Sequence, residues 1–292
     1  MKRKSTQFQR REMTTGFAFA LPAIVGMGVF FILPFLVAIF YSFSEGIGSG
    51  TFAGLRNYTE MFGNPAFQLA AGNTARFILV SVPLIMVLSL LIALLLNTKL
   101  RGYQTFRTLF ILPLVLPVAS VVLVFQVLFA GNGVVNDILQ AMGLPVSDWL
   151  QSPGAFTVLV LLYIWKNCGY NIILFLAALN AVPSEYYEAA EIDGAGARTR
   201  LFRITLPLIM PYMFFILLIS TINTFKSFRE AYVLCGSHPN QSIYMMQHFL
   251  NNNFQNTNFL RLSTAAILIF LVISAVIFLL FWLKSRAGEV EL

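Results

Sequence analysis

Residues 262–283 read LSTAAILIFLVISAVIFLLFWL, a run without a single charged side chain. A helix of about 20 such residues, rising 1.5 Å at each, covers the roughly 30 Å of hydrocarbon in a bilayer. An amphipathic helix or half-buried strand of a soluble domain would break the run with polar residues every few positions. Five further stretches have the same character: 13–44, 77–98, 108–136, 156–182 with Lys166 inside it, and 204–225.

Composition points the same way. Hydrophobic residues make up 58% of the 292 and charged residues only 11%, against about 25% charged in soluble domains. Helices satisfy their own backbone hydrogen bonds where no water can. The expected fold is therefore all-α: a polytopic membrane bundle of about six transmembrane helices, one domain over 13–285, flanked by segments 1–12 and 286–292.

The net charge of +7 is distributed by topology. Lys2, Arg3, Lys4, Arg10 and Arg11 precede the first span, and Lys99, Arg101 and Arg107 separate the second from the third. Arg198, Arg200 and Arg203 precede the fifth, and Lys284 and Arg286 follow the sixth. With alternating spans these thirteen of 19 basic residues share one side, which the positive-inside rule makes the cytoplasm. Both termini are then cytoplasmic, and no basic patch is left for nucleic acid. Arg56, Arg76, Lys226, Arg229 and Arg261 fall in the opposite loops; Lys226 and Glu230, four apart, are expected to pair there.

The basic start resembles a secretory signal, but its apolar run exceeds the usual 7–15 residues, so an uncleaved first helix is expected. Cys168 and Cys235 fall in a span and an external loop, which makes a disulfide unexpected. His238 and His248 show no metal-ligand spacing. Proline occurs in the first span (Pro22, Pro34), the second (Pro83), the third (Pro113, Pro117) and the fifth (Pro207, Pro211), so bends are expected there. The polar stretch 229–261, with its run from Asn251 to Asn258, reads either as a loop closing an entrance or as a solvated connector.

Segment 183–203 holds the most specific signal. Pro183 and Ser184 start a helix with Ser184 as the expected N-cap, Glu185 and Glu188 suit the positive end of its dipole, and Gly194 and Gly196 end it. Ala189 and Ala190 present almost no side chain, so a partner surface can approach, and Glu188 can pair with a cation across the contact. Glu188-Ala189-Ala190, then Gly194, then Ile204 and Leu206-Pro207 stand in the spacing Glu-Ala-Ala, three residues, Gly, nine residues, Ile, one residue, Leu-Pro.

That pattern resembles the cytoplasmic motif of binding-protein-dependent ABC importer permeases. The flanking Leu176 to Pro183 and Phe225-Lys226-Ser227-Phe228 are similar to the maltose-type, carbohydrate-uptake branch. Cys235-Gly236-Ser237-His238-Pro239 departs from the Thr-Gly-Gly-Gly-Pro usual there. The resemblance implies that Glu188, Ala189, Ala190 and Gly194 belong to a coupling helix seated on a cytoplasmic ATPase. It also implies a second homologous permease subunit, an ABC ATPase dimer, an extracytoplasmic solute-binding protein and residence in a prokaryotic cytoplasmic membrane. No Gly-x-x-x-x-Gly-Lys-Ser/Thr occurs, so no cofactor is expected in this chain, and ATP-Mg is expected on the partner ATPases.

Span four carries Trp165, Lys166, Asn167, Tyr170 and Asn171 near mid-membrane, with Asn223 in span five. A charge at that depth costs roughly 2.5–3.5 kcal/mol, so Lys166 is expected to face the interior or water. Aromatic faces and amides suit a sugar; equally, the asparagines can bond a neighbouring helix and Lys166 can snorkel. Three alternatives accompany the sugar permease. One is a permease for glycerol phosphate, a polyamine or an amino acid. An intramembrane enzyme would need acids or histidines within the spans, and a self-sufficient carrier would be expected to show internal repeats.

Overall fold

The computed structural model describes residues 7–46, 48, 51–98, 102–225 and 227–286, and among them it is helical without a strand. The basic positions Lys2, Arg3, Lys4, Lys99, Arg101 and Lys226 lie outside the described residues, as does 287–292. Backbone contacts divide the chain into two compact units, 1–64 with 253–274 and 65–252 with 275–292.

In the first unit α1 (Gln7–Met27) passes through a π-helical turn (Gly28–Ile32) into α2 (Leu33–Ser42). The apolar length Thr15–Ser42 is long enough to span and leaves large side chains such as Phe19, Phe30 and Phe31 outward, as a lipid solvent permits. The chain then turns through a single bridge between Ser44 and Phe52 into α3 (Arg56–Phe62). Asn57 fixes that turn by donating to the carbonyls of Ser42 at 3.0 Å and Ser44 at 2.9 Å. The N-terminal part of α14 (Phe259–Arg286) completes the unit, with Phe270 edge-on to Phe35 at 4.9 Å.

The second unit is built around α8 (Ala155–Asn180), which packs on α4 (Pro65–Asn97), α5 (Tyr103–Val115) and α11 (Leu206–Phe225). Gly169 is what allows the α5 crossing: a Cβ there would lie 1.8 Å from the carbonyl oxygen of Phe110. Between α8 and α11, Asn171 donates to Ser220 Oγ at 2.9 Å and the Tyr163 hydroxyl shares a hydrogen bond with Thr224 at 2.8 Å.

The expected third span is broken. Leu116 is extended, with φ −67° and ψ 141°, and α6 (Val118–Leu128) leaves α5 at 98°. Pro117 explains this, since it removes a backbone donor and drives its predecessor out of helical geometry. Among the described residues five helices are long and apolar enough to span, or six if α5 and α6 count as one.

Asn136 on α7 (Val134–Ala141) organises the next loop. Its amide nitrogen donates to the carbonyls of Gly131 and Ser147 at 2.9 and 2.8 Å, and its oxygen accepts the Trp149 indole at 3.0 Å. Gln126 then ties α6 to α12 (Phe228–Cys235) by donating to the carbonyl of Leu234 at 2.9 Å.

Residues 237–252 are not a solvated connector. A short 3₁₀ turn (Gln241–Ile243) leads to α13 (Met246–Gln255), and Ile243, Met245, His248 and Phe249 are buried. Asn73 holds this segment through the carbonyl of Tyr244 at 2.9 Å, and Thr74 accepts the Met246 N–H at 2.9 Å. Burial pushes the His248 imidazole down to about 4, against a smaller opposing effect of a backbone bond at Gly236.

Candidate functional site

The segment carrying the Glu-Ala-Ala motif forms α9 (Ser184–Ile192), followed by α10 (Ala197–Arg200) and a π-helical turn (Leu201–Thr205) that runs into α11. Pro183, not Ser184, occupies the N-cap position, and no side chain caps the helix. Proline has no N–H, and its fixed φ already suits a helix entry, so Ser184 falls one place inside.

At the other end Gly194 takes φ +71°. Its N–H bonds the carbonyl of Glu191 at 3.1 Å, and the Ala195 N–H bonds that of Ala190 at 2.8 Å. This is the paired closure of a Schellman turn. Gly196 needs no such conformation, because its φ is −67° and it caps α10.

The small-residue surface is half of what the sequence suggests. Ala189 and Glu188 are exposed, whereas Ala190 is buried. The Tyr187 and Thr205 hydroxyls bond at 3.0 Å and tie α9 to the π-helical turn. Among the described residues Glu188 has no salt bridge, while Glu191 sits 3.8 Å from Arg200. Tyr186 at 52% and Ile192 at 88% exposure join Glu188 and Ala189 on the open face.

The second feature is a cavity of about 360 Å³ beside α8, lined by Leu114, Asn167, Tyr170, Asn223, Ser227 and Glu230. Three of the sequence-predicted residues, Asn167, Tyr170 and Asn223, therefore meet in one place. The others do not line it. Trp165 is 45% exposed, with its ring 5.9 Å from that of Phe125. Asn171 is buried and committed to Ser220.

Lys166 faces the interior and forms an ion pair with Glu230; the two side chains are 11% and 8% exposed. The expected Lys226–Glu230 pairing falls at Lys226 outside the described residues; the described partner of Glu230 is Lys166, a lysine buried in a span having a strong demand for a counter-charge. Glu230, Ser227 and Leu114 are the lining residues that sequence reasoning did not place. One signal was available: Glu230 is the sole carboxylate between Asp193 and Glu289.

A smaller cavity, about 220 Å³, lies within the first unit among Glu45, Arg56, Asn57, Glu60, Asn258 and Arg261. Its Arg56–Glu60 pair, at 2.9 Å, is largely exposed. Among the described residues no cluster of His, Cys, Asp and Glu could hold a metal, and both cysteines are free.

Comparison with known proteins adds the following. The profile of the family described as the binding-protein-dependent transport system inner membrane component matches residues 85–286. The lactose transport system permease protein LacF of Rhizobium radiobacter is 33% identical over 277 residues, covering 91% of this chain and 93% of that one. The sulfoquinovosyl glycerol transport system permease protein SmoG of Agrobacterium fabrum is 33% identical over 238 residues, 80% of this chain and 77% of the relative. A crystal structure of a bacterial ABC transporter that imports the acidic polysaccharide alginate contains a chain with the same fold. Its TM-score is 0.85 at 21% identity, covering 96% of this chain and 98% of that one.

Proposed function

The chain belongs to the binding-protein-dependent transport system inner membrane component family and is a multi-pass membrane permease subunit, and from that premise we propose that it carries a sugar or oligosaccharide inward. In this reading an external binding protein delivers the solute, a second homologous permease completes the pathway, and an ABC ATPase dimer drives it with ATP-Mg bound on those subunits. The solute class is supported by LacF, a lactose permease similar along nearly its whole length.

The observation that carries the reading is α9 itself. A short helix with Glu188, Ala189 and Ile192 open on one face, and a Schellman turn at Gly194, is a rigid surface with no pairing of its own for Glu188 among the described residues. A coupled machine needs such a part, because only a partner that binds two states of the permease with different affinity can shift it between them.

Glu188→Ala and Gly194→Val in the assembled importer test this. ATP hydrolysis should persist while sugar uptake falls at least tenfold. Uptake at the parent rate in both variants would count against α9 as the coupling surface.

A second reading, a permease for an anionic solute, draws on SmoG, whose named solute bears a sulfonate. Uptake of neutral against sulfonated or phosphorylated compounds separates the two.

A further inference from the structure

Lys166 taken alone would make its cavity attractive to anions. The structure places a carboxylate between that charge and the cavity. Glu230 lines the cavity and Lys166 does not, and among the described lining residues Glu230 is the one that carries a charge. Lys166 bonds Oε1 of that carboxylate. Because an ionised carboxylate accepts on both oxygens, capacity remains for a hydroxyl donor.

The rest of the described lining is complementary in the same sense. The Asn167 and Asn223 amides donate and accept, as do the Tyr170 and Ser227 hydroxyls, and Leu114 offers an apolar patch. Asn167 uses one amide hydrogen on the carbonyl of Tyr163 at 2.8 Å. An arginine fork or a free ammonium, the groups that recognise phosphate, sulfonate or uronate, is not among the described lining residues.

We propose that Glu230 sets the charge selectivity of this cavity: balanced from behind by Lys166, it turns a negative face to the solute, so that an uncharged polyhydroxylated compound is accepted and an anionic one is turned away. The proposal rests on the sugar-permease reading, in that it takes the cavity to lie on the solute's route. It assigns Lys166 a supporting part. The ammonium holds the carboxylate in place and is not itself among the described lining residues.

The test is a Leu114→Cys importer, assembled with its partners, in which Cys168 and Cys235 are replaced by serine. Labelling rates are measured for a cationic and an anionic methanethiosulfonate of similar size, each normalised to its rate with a free thiol. The parent should favour the cation by roughly tenfold, the scale expected of one nearby unit charge in a partly polar surrounding. Glu230→Gln should reverse the preference, Lys166→Met should enlarge it, and Lys166→Met with Glu230→Gln should bring the ratio near one. That double variant keeps the test open if either single variant fails to assemble.

A parent that favours the anion, or a ratio indifferent to both substitutions, overturns the proposal. Uptake by the same importer is measured alongside. If the ratios fail while neutral sugar is still carried, only the role of Glu230 falls. If the ratios hold while an anionic solute is carried and neutral sugars are not, the sugar reading falls with it.

Discussion

The α9 knob and the cavity beside α8 are both polar features of one unit, and they are held together by opposite means. The knob closes on itself: Pro183 opens it, Gly194 ends it, and one bond between Tyr187 and Thr205 fastens it to the next turn. The cavity depends on residues far apart in the chain, with Lys166 on Glu230, Asn171 on Ser220 and Tyr163 on Thr224. Local closure leaves side chains free to meet a partner. Long-range closure makes the site inseparable from the packing of the helices around it.

The largest effect should come from the buried pair. Breaking it by Lys166→Met or Glu230→Gln alone leaves a desolvated charge and should cost roughly 3–5 kcal/mol. Removing both should cost far less than the sum. Thermal unfolding of the purified complex in detergent gives this double-mutant cycle, and additive single effects would show that the pair is not coupled. Glu60→Gln in the exposed Arg56–Glu60 pair serves as the contrast; side chains there are 69% and 59% exposed, and a shift under about 0.5 kcal/mol is expected.

Gly169→Ala should follow, because its Cβ would sit 1.8 Å from the Phe110 carbonyl oxygen, a backbone atom that can move only if α5 moves. A destabilisation of about 3 kcal/mol is expected, with loss of the cavity wall that Leu114 provides. Unchanged stability would mean that α5 does not approach α8 so closely. A smaller effect on the fold than that of Gly169→Ala should come from Gly194→Val, roughly 1–2 kcal/mol for a β-branched residue at φ +71°. The same change should have a large effect on coupled uptake, so its two readouts pull apart as those of Gly169→Ala do not.

The sequence made the knob legible because every signal for it is local. A proline entry, small residues and a glycine at fixed spacing act on the backbone within a few positions, and only details were misread: Ser184 yields the cap to Pro183, and Ala190 turns inward. The long apolar runs were equally legible. The cavity was half legible: Asn167, Tyr170 and Asn223 stand out as polar residues in apolar helices, but Trp165 and Asn171 stand out in the same way and face elsewhere. Which side of a helix a residue occupies relative to its neighbours is not set by hydropathy when every side is apolar.

Residue types and their spacing along the chain thus fixed that this protein lives in lipid, how its spans are counted to within one broken helix, and where α9 lies. Backbone chemistry acts over a few residues, and solvent preference acts on each residue separately. The tertiary structure alone decided that Lys166 is answered by Glu230, that α5 and α6 part at 98°, and that three polar residues of span four and span five share one cavity. Those facts depend on the rotation and crossing of helices, which packing at points such as Gly169 determines and which no single segment encodes.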